Sequence, residues 1–193
     1  MGHLKVVNGK IMDSESITLE YISCKNDLSM DFLPTYSAFA NTFGGRAIMG
    51  IDDAHMLIGV NDPDKIIKDL WDLLNDGKKV NINLVAPKDV KTIRIDEKTL
   101  IYVDIPRAER RKRPIYINGT MENGTYKRNG EGDYHCSIDE LKQMLRDASD
   151  TPLDSEIVLD LTIDDLDIQS IKSFRERMSS RNPAHPWNAK SNE

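Results

Sequence analysis

Residues 38–60, AFANTFGGRAIMGIDDAHMLIGV, change their hydrophobic period in mid-run, and this break constrains the fold more than any other feature of the chain. Just upstream, Phe32, Tyr36, Phe39 and Ala40 recur at helical spacing. A helix over about residues 31–43 is therefore predicted, with Ser29 or Asp31 as N-cap and Pro34 in the first turn, where a missing N–H is harmless. Gly44 and Gly45 stop it, because glycine takes positive φ at no steric cost and reverses the chain cheaply. Asn41, in the same last turn, is expected to secure the bend. Downstream, RAIMGI and MLIGV read as two short strands around the polar tip formed by Asp52, Asp53, Ala54 and His55.

The remaining punctuation is consistent with one domain followed by an appendage. SESITLEY over 14–21 alternates as a half-buried strand. Asp62 and Pro63 open a helix with Ile66, Ile67, Leu70, Trp71 and Leu74 on its apolar stripe and Gly77 beyond its end. VNINLV (80–85) is expected to join a sheet whose clearest signal is the alternation of KTIRID and TLIYVDI around a turn at 96–98. IYING, TMENG and TYKRNGEGDYH suggest a second hairpin. Ser137 and Glu140 form a capping box for IDELKQMLRDAS, the helix expected to close the domain. These signals predict a domain over 1–150. Residues 151–193 read as a linker and a helix (164–179) leading to a C-terminal domain missing from the sequence.

Bulk properties narrow the chemistry. The 193-residue chain has a net charge of −6, so any contact with a polyanion must come from a local patch. The two cysteines, Cys24 and Cys136, lack zinc-site spacing and are too few for a disulfide framework, which points to a reducing cytoplasm. No apolar run is long enough for a membrane span or signal peptide, so a membrane partner is not expected.

Two groups of side chains carry candidate chemistry. Arg107, Arg110, Arg111, Lys112 and Arg113 crowd one loop, with Arg46, Lys127 and Arg128 as further cations. Such a cluster neutralises phosphates in a salt-sensitive, sequence-blind way, and Tyr116, Tyr126 and Tyr134 could stack on unpaired bases. Equally, the segment could be a solvated loop whose tyrosines serve the sheet. The second group is Glu15, Glu20, Asp52 and Asp53. Three converging carboxylates would hold Mg²⁺ or Mn²⁺ for hydrolytic nuclease chemistry. Positions five apart in a regular strand face opposite sides, so Glu15 and Glu20 converge only if Glu15 precedes the strand or a bulge intervenes. Solvated strand-end acids are the simpler alternative. The Gly44-Gly45 pair is not a phosphate cradle, since it follows a helix and no Lys-Ser/Thr follows it.

Together, ESITLEY (15–21), SAFANTFGGRAIMGIDDAHMLIGV (37–60), RPIYING (113–119) and TYKRNGEGDYHCSIDELKQM (125–144) resemble the Schlafen AlbA-like family, a DNA-binding module of bacterial transcriptional regulators. The resemblance implies an α+β fold, a mixed β-sheet with flanking helices. In the Schlafen branch it implies an endoribonuclease whose acids match Glu15, Glu20 and Asp52, with Mg²⁺ or Mn²⁺ as cofactor. The chain departs from the family at Ile22, where a lysine is usual; the nearest lysine is Lys25. The resulting expectation is a non-catalytic DNA- or RNA-binding domain of a cytoplasmic regulator. It needs no cofactor and contacts phosphates through Arg46, Arg107, Arg110, Arg111, Lys112, Arg113, Lys127 and Arg128. The metal-dependent ribonuclease is the alternative, and a homo-oligomerisation scaffold that touches no nucleic acid is a third reading.

Overall fold

The computed structural model describes residues 4–149 and 165–189. The chain divides into two compact units, Met1–Asp150 and Thr151–Glu193.

The first unit is built on a four-stranded mixed sheet. Strands β3 (Leu19–Ile22) and β4 (Gly45–Met49) are parallel, joined by helix α1 (Phe32–Asn41), because a parallel pair needs a crossover longer than a tight turn. Antiparallel β6 (Lys98–Ile105) lies beside β4, and β5 (Val90–Ile95) pairs with β6 to complete the order β3-β4-β6-β5. Alternate residues of the central strands face opposite ways, so each strand supplies two cores. Ile22, Ala47, Met49, Ile101, Val103 and Ile105 pack against α1 and against α2 (Pro63–Asn75). Tyr21, Ile48, Leu100 and Tyr102 form the second core with Ile51, Leu57 and Ile11, the last from the hairpin β1 (Val6–Val7) and β2 (Lys10–Ile11). This is the α+β arrangement expected from the sequence.

Local signals explain several boundaries. Asp62 caps α2 by accepting from the Lys65 N–H at 3.0 Å, with Pro63 at the first helical position. After the hairpin β7 (Tyr126–Asn129) and β8 (Gly132–His135), α4 (Ile138–Ala148) opens with the reciprocal Ser137–Glu140 capping box. Just before β7, Met121–Gly124 forms a single short helix, α3, rather than hairpin structure. In the second unit, α5 spans Ile168–Arg181, capped by Asp167, whose carboxylate accepts from the Gln169 N–H.

Three strand expectations need correction. The segment 14–21 is not one strand: Ser16 and Leu19 bond each other's backbone in a turn, and only Leu19–Ile22 joins the sheet. MLIGV forms no sheet strand; Ile51 and Leu57 make an isolated bridge while Val60 donates to Thr99. VNINLV also stays outside the sheet. Its polar groups are satisfied by residues distant in sequence, with the Tyr36 hydroxyl donating to the Ile82 carbonyl and accepting from the Leu84 N–H, and with Asn81 bonded to Pro114 and Tyr116. Once side chains satisfy the backbone, a strand ladder is not required.

The end of α1 shows what the unusual motif accomplishes. Ser37 donates to the Ile115 carbonyl and accepts from the Tyr126 N–H. Asn41, 4 % exposed, accepts from the Ile115 N–H at 2.8 Å and donates to the carbonyls of Ile115 and Tyr126 at 2.8 and 3.0 Å. Thr42 accepts from the Arg128 N–H. Three polar residues on the last turns therefore stitch the helix to segment 115–117 and to β7. Asn41 does more than secure the bend. Gly44 has φ +73°, and a Cβ there would stand 2.8 Å from the Arg107 nitrogen; a Cβ on Gly45 would strike the Phe39 ring at 2.7 Å. Both glycines permit close approach.

Candidate nucleic-acid interface

The basic loop leaves β6 after Ile105 and is pinned at both ends by α1. The Ala108 N–H donates to the Ala40 carbonyl at 2.8 Å, and the Ile115 N–H donates to Asn41. Ala108, Pro114 and Ile115 are buried, which forces the charged residues between them outward in a 3-10 turn at Arg110–Lys112. Arg107, Arg110, Arg111 and Lys112 are exposed, and Arg113 is half-buried.

Arg113 shows how crowded this patch is. Its Nε is buried and has no hydrogen-bond partner. Burial first, and then the neighbouring Arg107 guanidinium, lower its pKa; the Asp147 carboxylate opposes them, and Arg110 adds a lesser push downward. Among the described residues, Arg107, Arg110 and Arg113 have no carboxylate within ion-pairing distance. Three like charges thus share one rim, a crowding that an anion would relieve.

The other predicted cations are engaged within the fold. Arg46 Nε donates to Asp104 Oδ1 at 2.6 Å, its guanidinium 5.5 Å from the Tyr102 ring centre. Lys127 pairs with Glu140, and Lys112 with Glu109 at 3.2 Å. Arg128 requires a correction, for its side chain is 0 % exposed and cannot offer a surface contact. It reaches Glu20 Oε2 at 2.5 Å, Asp133 Oδ1 at 2.9 Å and the Ser16 carbonyl at 2.9 Å, lying over the Phe39 ring. Asp133, which also accepts from Thr35, was not singled out from the sequence; nothing in EGDYH marks it as the partner of a strand-borne arginine.

The acidic trio does not assemble. Glu15, placed by the turn before β3, folds back to accept from the Tyr21 N–H at 2.9 Å. Glu20 is held by Arg128. Asp52 closes its own turn by accepting from the N–H groups of Ala54 and Met56 at 3.0 and 2.7 Å. Among the described residues no three metal-ligating side chains come together, and the donor set does not fit a divalent cation.

Glu20 is unusual in another respect. Burial, aided by the Glu15 and Asp133 carboxylates, pushes its pKa up to about 7 despite Arg128. One guanidinium shared by two carboxylates cannot fully compensate both. A raised folded pKa favours the protonated form, so this group's stabilisation is complete below pH 4.5 and is lost as pH rises through about 7. Urea titrations from pH 5 to 8 should show stability falling over this window, and Glu20→Gln should flatten that slope.

A profile of the family described as Schlafen, AlbA_2 matches residues 15–137, well over half of the chain. The chain belongs to this family. Schlafen, AlbA_2 is a nucleic-acid-binding domain family, and its match covers β3 through β8 and the entire basic loop. A second profile, a domain of unknown function (DUF8451), matches residues 142–193. Among solved structures, the N-terminal domain of a RecG-related protein from Nitrosomonas europaea is 25 % identical, with a TM-score of 0.46, over 66 % of this chain and 87 % of that one. The DIP2311 protein from Corynebacterium diphtheriae shares the fold at 14 % identity, with a TM-score of 0.54, over 97 % of this chain and 33 % of that one. No curated protein matches. No helix among the described residues is long and apolar enough to cross a membrane.

Proposed function

We propose that this Schlafen, AlbA_2 domain is the non-catalytic DNA-binding module of a transcriptional regulator and grips the phosphate backbone through Arg107, Arg110 and Arg113. The observation that carries the reading is the unpaired state of these three cations around a buried, partnerless Arg113 Nε. A phosphate held against the guanidinium groups of the rim screens their mutual repulsion, and arginine's fork suits a phosphate better than a point charge would. Arg111 and Lys112 extend the same exposed rim, and Arg46 and Lys127 contribute less because carboxylates already engage them.

Backbone binding of this kind is read by salt. Anisotropy titrations of a labelled 20-base-pair duplex at rising salt should give a log–log slope of about −3, because each neutralised phosphate contributes about 0.9. Salt-independent binding, or none at low salt, would contradict the proposal.

A further inference from the structure

The basic rim lies beside an exposed aromatic ring that the fold leaves unused. Phe43 is 59 % exposed in a chain whose other three phenylalanines include the fully buried Phe32 and Phe39. It sits at the tip of the turn between α1 and β4, and the turn is rigid. The N–H groups of Thr42 and Gly44 both donate to the Phe39 carbonyl, at 3.2 and 2.7 Å. Thr42 is tied to the Arg128 backbone on one side. On the other, Gly44 approaches the Arg107 backbone so closely that a Cβ would stand 2.8 Å from its nitrogen. Chain geometry therefore keeps the Cα atoms of Phe43 and Arg107 within about 10 Å of each other, a separation that an arginine side chain and a nucleotide can span together.

The geometry points to a single-stranded nucleic acid as the ligand of this rim, with an unpaired base stacked on Phe43 while Arg107 and its neighbours hold the adjoining phosphates. This rests on the backbone-binding reading above and deepens it. Stacking on an aromatic face is available only to bases free of a duplex stack, and it is indifferent to sequence because every base has a π-face. A ring fixed outward on a hydrogen-bonded turn loses little conformational freedom on binding, which favours such a contact. Of the tyrosines considered from sequence, Tyr126 is half-buried against His135 and Tyr116 is bridged to Thr125, while Tyr134, 55 % exposed, lies on β8 and not on the turn beside Arg107.

The test compares four labelled probes with the full chain at fixed low salt: 12-nucleotide single strands of DNA and RNA of one sequence, and the duplex of each. Phe43→Leu, which keeps an apolar side chain on the turn, should weaken single-strand binding roughly tenfold and leave duplex binding within about twofold. Equal affinity of the wild type for strands and duplexes, with Phe43→Leu changing neither, overturns the stacking inference while leaving backbone binding intact. Failure of the wild type to bind any probe overturns both. A circular dichroism melt establishes that the variant is folded, and Phe43→Trp, which should restore or strengthen single-strand binding, distinguishes stacking from a generic apolar contact. The DNA and RNA arms show which sugar the rim accepts.

Discussion

Arg128→Met should lower the unfolding free energy by about 3–5 kcal/mol at pH 8, the scale for removing one member of a buried ion pair. The substitution roughly preserves volume and retains the apolar contact with Phe39, so the loss isolates the guanidinium. Without it, Glu20 and Asp133 face each other half-buried, and the carbonyls of Ser16 and Leu19 lose a donor. The cost should shrink toward pH 5.5. Glu20 already titrates near 7 with the arginine in place, and without it the carboxyl holds its proton more tightly and one charge of the pair disappears. Chemical denaturation at the two pH values checks this. Equal destabilisation at both would show that Glu20 is not the group responding.

Asn41→Leu should cost about 2–4 kcal/mol, because it strands several backbone groups at once. The Ile115 N–H and the carbonyls of Ile115 and Tyr126 all lose their side-chain partner in a buried position, and each buried unsatisfied group costs about 1–3 kcal/mol. The leucine recovers part of this through its apolar burial. A second effect should accompany the first. Asn41 anchors the end of the basic loop at Ile115, so the variant should also bind nucleic acid more weakly while still folded in the cold. Urea unfolding with an unchanged m-value, together with an anisotropy titration at 10 °C, measures both.

Local chemistry was readable along this chain, and long-range pairing was not. The Ser137–Glu140 box, the Asp62 cap with Pro63, and the β5–β6 alternation each depend on residues within a few positions of one another, and each forms as expected. VNINLV misled because its alternation is real, but its hydrogen bonds go to Tyr36, Pro114 and Tyr116, residues 33 to 48 positions away. Arg128 shows the same limit. In sequence it is one more cation beside Lys127, and only the pairing with Glu20, 108 positions earlier, converts it from a surface candidate into a buried strut. Conversely, the significance of Arg113 lies in a partner it lacks, which no spacing rule encodes.

The central claim is that the cations divide into those the fold has already neutralised and those it holds open for phosphate. The most direct measurement compares two sets of variants with one duplex probe at one low salt concentration. Arg107→Gln, Arg110→Gln and Arg113→Gln combined should weaken binding by at least about a hundredfold and remove most of the salt dependence. Arg46→Gln with Lys127→Gln should leave affinity within about threefold, since Asp104 and Glu140 are relieved of partners rather than phosphate being deprived of one. If the second set abolishes binding and the first does not, the assignment of the arginine rim as the phosphate-binding surface is wrong.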